Sequence, residues 1–270
     1  MTVVIETKGG IGNVLYQYAL GFALSSKSKD VYFYNAHAKG DSFFSVATDW
    51  GLSLPYANDE VVESLRPKNK FIRIAKRKLG FSKEYFEKKR NTYDYNVFNL
   101  DDAYISGYWH HRKYFQCVKS ELIIHLRDIV QRTVNVSDND RLPCVMHVRR
   151  GDFLKHSHIG FVGLDYYYNA FERLASSGYT GQVFVVSDDP DWVVENLQSP
   201  SHEVVVLKNG NQFEDFYKLM LADRLVMANS SFSWWAAFLN LKAGLILSPR
   251  RWLAVQNDRD DWWCEEWEVL

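Results

Sequence analysis

The stretch Cys144-Val-Met-His-Val-Arg-Arg-Gly-Asp-Phe153 joins a short apolar run to a basic pair, a glycine and a carboxylate. A short apolar run closed by a glycine-containing turn reads as a buried parallel strand, and parallel sheets place ligands beyond the carboxyl ends of their strands. Arg149 and Arg150 therefore fall where a ligand would lie. Successive strand residues point to opposite faces, so one arginine is expected to reach the ligand and the other to brace the sheet. A guanidinium fork there suits a phosphate, held bidentately, and Gly151 allows close backbone approach.

The pattern downstream extends this reading. Strands are expected over 182–186, 203–207, 225–228 and 245–247, separated by helices over 165–176, from Asp189-Pro190 onward, over 213–222 and over 232–239. Strands alternating with helices mean a parallel α/β sheet with right-handed crossovers. Upstream, Val3 to Glu6 reads as a strand, Lys8 to Asn13 as a glycine-rich turn and Val14 to Ser26 as a helix. A further strand is expected at 31–34, another at 103–109, and a helix over 113–130. The polar segment 135–143 is the best linker signal, which gives a boundary between residues 1–140 and 141–270.

Totals exclude several classes. Hydrophobic content of 47% marks a globular chain, and a net charge of -1 gives no argument for nucleic acid. Cys117, Cys144 and Cys264 form no metal-ligand spacing, which argues against a zinc site or disulfide framework. The start lacks a signal peptide's pattern, and no apolar run is long enough to span a bilayer, so a soluble cytoplasmic protein is expected. The basic segment 66–90 reads first as a solvated helical face. Its interleaved Phe71, Ile72, Ile74, Leu79 and Phe81 also suit peripheral contact with the inner membrane.

Carboxyl ends of parallel strands share one rim, and three of them carry polar residues: His147 to Asp152, Ser187-Asp188-Asp189 and Asn229-Ser230-Ser231. Asp189-Pro190-Asp191 could be a metal-diphosphate DxD, but a capping Asp followed by Pro at the first helical position explains it better. Asp188 is then left for a ligand. Backbone N–H groups and hydroxyls at Ser230-Ser231 would receive phosphate oxygens. Asp223, ending a helix where the dipole disfavours a carboxylate, suits the paired N–H donors of guanine.

His147-Val-Arg-Arg-Gly-Asp152 resembles the HxRRxD motif shared by α1,2-, α1,6- and protein O-fucosyltransferases. Together with Gly9-Gly-Ile-Gly-Asn-Val-Leu-Tyr-Gln-Tyr-Ala19, Val186-Ser-Asp-Asp189 and Ala228-Asn-Ser-Ser-Phe-Ser-Trp-Trp235, it is similar to bacterial α1,2-fucosyltransferases of glycosyltransferase family 11. The resemblance implies a GT-B-like α/β architecture of two facing Rossmann-like domains, an acceptor-side N-terminal one and a C-terminal one that binds GDP-L-fucose. It implies inverting transfer to the 2-OH of a galactose-type residue, in lipopolysaccharide or O-antigen biosynthesis, without a metal or other cofactor. Arg150 resembles the arginine that grips the β-phosphate, with Arg149 beside it, and Ser230, Ser231 and Phe232 resemble the donor loop. Gly10, Gly12 and Asn13 match the N-terminal glycine motif. Where the family has Gln, this chain has Val14. Asp152, His147 and Asp165 are the candidates for a general base. A fucosyltransferase of other linkage and a non-catalytic carbohydrate-binding protein are the alternatives.

Overall fold

The computed structural model describes residues 1–35, 47, 49–134, 141–151, 162–208, 210–252 and 263–270. The chain divides into two compact units, Met1–Ile129 and Val130–Leu270. That division falls inside a helix, ahead of the polar segment 135–143.

The first unit is built on a four-stranded parallel sheet in the order β2-β1-β4-β3, with β1 at Thr2–Glu6, β2 at Asp30–Tyr34, β3 at Glu84–Phe86 and β4 at Ala103–Ser106. Helix α1, Ile11–Ser25, buries residues on nearly every side, which explains its almost uniformly apolar sequence. Two shorter helices, α2 at Asp59–Leu65 and α3 at Lys70–Lys78, lead to the edge strand β3. Helix α4, Lys119–Thr133, follows two short turns of 3-10 helix at Arg112–Tyr114 and Gln116–Val118. The strand expected at 103–109 stops at Ser106, because Trp109 takes a positive φ of 57° that no strand continues.

The second unit carries a six-stranded parallel sheet. Its strands are β5 (Val145–Val148), β6 (Val183–Ser187), β7 (Val204–Val206), β8 (Arg224–Val226), β9 (Leu245–Ser248) and β10 (Glu268–Val269), in the order β7-β6-β5-β8-β9-β10. The connecting helices are α5 (Leu164–Ser176), α6 (Pro190–Asn196), α7 (Gln212–Leu221) and α8 (Ser231–Leu239). All four residues of β5 are buried, as a central strand covered on both faces requires. Cys144, Met146 and Val148 pack with Tyr167, Phe171 and Leu174 of α5 in one apolar cluster. His147 points the other way, with Phe232 5.6 Å from its ring centre. The expectation of a parallel α/β sheet for this half, with two Rossmann-like units in the chain, is met.

Candidate active site

Strand order decides where a ligand can enter the second unit. The chain runs outward from β5 to β6 and β7, then returns to add β8 on the other side of β5. Connections after β5 and β8 therefore depart to opposite faces, which opens a crevice at the carboxyl rim between them. Arg149, Arg150 and Gly151 form one lip of that crevice. Asn229, Ser230 and Ser231 form the other.

Both arginines are held by carboxylates from the end of β6. Arg149 Nε lies 3.0 Å from Asp188 Oδ2, and Arg150 Nε lies 3.2 Å from Asp189 Oδ2. The backbone N–H of Arg150 donates to Asp188 Oδ1 at 2.8 Å. The guanidinium carbon of Arg150 sits 3.6 Å from the ring centre of Trp192, a cation–π contact that fixes its plane. Only 14% of the Arg150 side chain is exposed, against 33% for Arg149. Arg150 is thus a braced, half-buried cation.

Asp189 caps α6 as expected. Its Oδ1 accepts from Trp192 N at 3.3 Å, and Pro190 follows at the first helical position. Asp191 pairs with Lys208 Nζ at 2.8 Å. Asp188, by contrast, does not stand free for a ligand: both of its oxygens are taken by the two arginine residues, so its work is to hold them.

At the other lip Ser230 is the N-cap of α8, and its Oγ accepts from Phe232 N at 3.3 Å. Ser233 Oγ donates to Ala228 O and Ser230 O, at 3.0 and 3.2 Å, which stitches the loop to the first turn. Ser231 and Phe232 are partly exposed at the helix start. Asn229 Nδ2 donates to Trp252 O at 3.2 Å.

His147 requires a correction. Its ring is 3% exposed and its Nδ1 has no hydrogen-bond partner. Burial, with the nearby Arg149 charge second, pushes its pKa down to about 3. It is a packing residue beneath the rim, held largely neutral and with its ring turned toward Phe232 rather than into the crevice, a poor position for the acceptor's base. Asp165 stands exposed in the first turn of α5. Asp152 lies outside the described residues.

Asp223 also requires a correction. It precedes β8, so it sits at the amino edge of the sheet, the rim opposite to the arginines. Its N–H donates to Leu142 O at 3.1 Å, Gly244 N donates to its carbonyl at 2.9 Å, and Arg141 holds its carboxylate. It cannot read a base bound at the carboxyl rim.

Another carboxylate, Asp215, stands on the carboxyl rim. Asp215 lies in the first turn of α7, directly after the connection from β7, next in sequence to Phe216, whose ring centre is 5.2 Å from that of Phe232. Burial raises its pKa, partly opposed by Lys218 Nζ at 3.7 Å. Sequence offered one available signal: an Asp inside an amphipathic helix opening is on the strand-to-helix side of the sheet.

The first unit has its own switch point between β1 and β4. Gly9, at a φ of 82°, makes the turn into α1, and Gly10 is the N-cap with open space where a side chain would start. Gly12 is buried in α1, and Asn13 Oδ1 lies 2.9 Å from His110 Nε2. Val14 is 3% exposed and packs inward. Gln17, fully buried, bonds Lys8 N, Lys8 O and Gly107 O at 3.1, 3.2 and 3.2 Å, which ties the two loops together. Gln17 sits amid helix-forming apolar residues, so no local pattern marks its side chain as the tie between the two loops.

The sequence profile of a family described as Glycosyl transferase family 11 matches residues 54–270. An α-1,2-colitosyltransferase of Escherichia coli is 26% identical over 280 residues, covering 93% of this chain and 92% of that protein. The O-antigen biosynthesis glycosyltransferase WbnK of Escherichia coli is 29% identical over 119 residues, covering 42% of this chain and 39% of WbnK. Galactoside α-(1,2)-fucosyltransferase 1 of Rattus norvegicus is 26% identical, covering 88% of this chain and 63% of its own length. Among solved structures, Escherichia coli heptosyltransferase WaaC with ADP-2-deoxy-2-fluoro heptose aligns at a TM-score of 0.47 and 12% identity, over 100% of this chain and 93% of that one. POFUT1 in complex with GDP-fucose aligns at 0.41 and 13%, over 90% and 94%.

Proposed function

The chain belongs to glycosyl transferase family 11, and from that membership together with the rim geometry we propose that it moves L-fucose from GDP-L-fucose to the 2-OH of a galactose-type residue, with inversion and without a metal. The observation that carries the reading is Arg150, braced by Asp189, Trp192 and Asp188 at the switch point of the second sheet.

When the fucosyl–phosphate bond breaks, its electron pair goes to the β-phosphate oxygen while the sugar becomes oxocarbenium-like. A fixed guanidinium stabilises that developing charge more than it stabilises the ground state, because no reorganisation is needed at the moment of reaction. In this reading Arg150 takes the β-phosphate, Arg149 stands beside it, and Ser231 with the N-terminal N–H groups of α8 receives further phosphate oxygens. Phe232 lies against the donor. Asp215 takes the guanine edge, whose N1–H and N2–H₂ donors satisfy a partly desolvated carboxylate. The acceptor oxygen attacks the anomeric carbon and gives its proton to a base, the role assigned to Asp152.

Gly10 and Asn13 belong to the acceptor-side unit in this scheme, and the acceptor is a galactose-containing glycan or glycolipid. The enzyme works in the cytoplasm, peripherally at the inner membrane. No helix among the described residues is long and apolar enough to cross a membrane.

A second donor is favoured by one finding: a relative that matches along nearly its whole length is named for colitosyl transfer. Colitose is the 3-deoxy counterpart of fucose, so the phosphate and base contacts would be unchanged. An acceptor screen with GDP-fucose and GDP-colitose in EDTA, with product linkage read by NMR, tests both. Calorimetric binding of GDP in EDTA supports the reading; binding of free sugar alone, with no GDP binding, overturns it.

A further inference from the structure

Helix α3 is turned inside out relative to an ordinary surface helix. Its residues Lys70, Arg73, Ile74 and Arg77 line the hollow against β3, together with Arg66, Glu84 and Phe86. Arg77 Nη2 lies 3.6 Å from Glu84 Oε2, and its guanidinium lies over the Phe86 ring at 5.5 Å. The opposite stripe is Phe71, Ile72, Ala75 and Leu79, all exposed, with Phe71 at 81%, Ile72 at 48% and Leu79 at 69%. No residue of α3 is buried.

Local chemistry, not packing, holds this helix in shape. Asn69 Oδ1 accepts from Phe71 N and Ile72 N, at 2.8 and 3.3 Å. At the other end Phe81 N donates to Lys76 O at 2.8 Å and Gly80 N to Arg77 O at 3.3 Å, with Gly80 at a φ of 76°, which is a Schellman closure. That closure brings Phe81, 71% exposed, to the end of the apolar stripe. A nine-residue helix with no fully buried residue is marginal in water, so two good caps on an outward apolar face imply a surface that covers it.

Charge selects the occupant. The segment 66–90 carries eleven Lys or Arg against two Glu in a chain whose net charge is -1. A second copy would set this cationic patch against its like, whereas anionic lipid complements it. Lys76 and Lys78 flank the stripe and are long enough to keep their ammonium groups among headgroups while their stems lie on acyl chains. We propose that residues 69–83 form an interfacial anchor, with Phe71, Ile72, Leu79 and Phe81 laid into the headgroup region of an anionic bilayer. The inference deepens the membrane-peripheral part of the proposed function and owes nothing to the identity of the donor.

Flotation with phosphatidylcholine vesicles, with and without phosphatidylglycerol, tests it. The wild type should bind only the phosphatidylglycerol-containing vesicles and should be released by high salt. Replacing Phe71, Leu79 and Phe81 together by Ser should weaken binding about tenfold or more, and K76Q and K78Q should each cost about fivefold. GDP binding measured on the same triple variant should be unchanged, so that failure of the anchor and failure of the donor assignment read out separately. Wild-type affinity in the triple variant, or indifference of the wild type to phosphatidylglycerol, overturns the proposal. Self-association that the triple variant abolishes, without vesicle binding by the wild type, assigns the face to a second copy instead.

Discussion

Asp188 Oδ2 occupies the space that a side chain on Gly151 would need: a β-carbon built on Gly151 falls 2.6 Å from that oxygen. The oxygen cannot swing aside cheaply, because Arg149 Nε and, through Oδ1, Arg150 N hold the carboxylate in place. Gly151 is therefore a packing requirement of the arginine brace rather than only a point of ligand approach. Gly151→Ala should displace Asp188 and lower kcat by roughly 10²-fold, the scale of a small misplacement of catalytic groups. The loss should be non-additive with that of Asp188→Ala in a double-mutant cycle of initial rates.

Arg150→Ala should lose roughly 10²–10³ in kcat, as expected for one preorganised charge-stabilising donor. Arg150→Lys should recover little, because an ammonium cannot both lie on Trp192 and present a planar fork. Wild-type turnover by Arg150→Ala in a GDP-fucose assay would remove this residue from the chemistry.

On the proposed guanine contact, which is the same in ground and transition state, Asp215→Asn should raise KM for the nucleotide sugar more than it lowers kcat. Because burial raises the Asp215 pKa, its ionised form is lost earlier on acidification than an ordinary aspartate's. Donor KM should therefore climb as pH falls through that raised pKa, and the climb should be absent in Asp215→Asn. A pH profile of KM for wild type and variant decides it.

His147 supplies a stability prediction. Its folded pKa lies near 3 while an unfolded histidine titrates near 6.5, so below about 6.5 the unfolded state binds one more proton. That contribution is complete above pH 6.5 and is lost as pH falls toward 3, by about 1.4 kcal/mol per pH unit. Urea melts between pH 7 and 5 should show a smaller slope in His147→Gln than in wild type.

Gln17→Leu should destabilise the first unit by roughly 2–5 kcal/mol, since Lys8 N, Lys8 O and Gly107 O would each lose a buried partner. Chemical denaturation of the variant, followed by far-UV circular dichroism, measures it.

What could be read from sequence follows the reach of each signal. The second sheet was legible because β5, β6 and α7 are apolar at their proper periods and Gly151 and Pro190 punctuate the ends of β5 and β6. Edge strand β3 was not, since three residues among lysines and glutamates carry no period. Asp223 illustrates a chemical argument made without topology: a carboxylate suited to guanine is useless on the amino rim, and its place just before β8 already assigns it there. The partnership of Asp188 with Arg149 spans residues far apart in sequence, and only pairing of β5 with β6 brings them together. Trp109, buried at a positive φ, follows from tertiary packing that no local propensity encodes.

The position of Asp223 has a practical side. Arg141, Leu142, Asp223 and Gly244 tie the entrances of three neighbouring strands together on the edge remote from Arg150. On the proposed donor site, substitutions there should change thermal tolerance and leave the reaction alone, and substitutions at Ser231 or Phe232 should change donor range without loosening those entrances. Directed evolution of this enzyme can therefore treat ruggedness and selectivity as two libraries, drawn from opposite ends of the same strands.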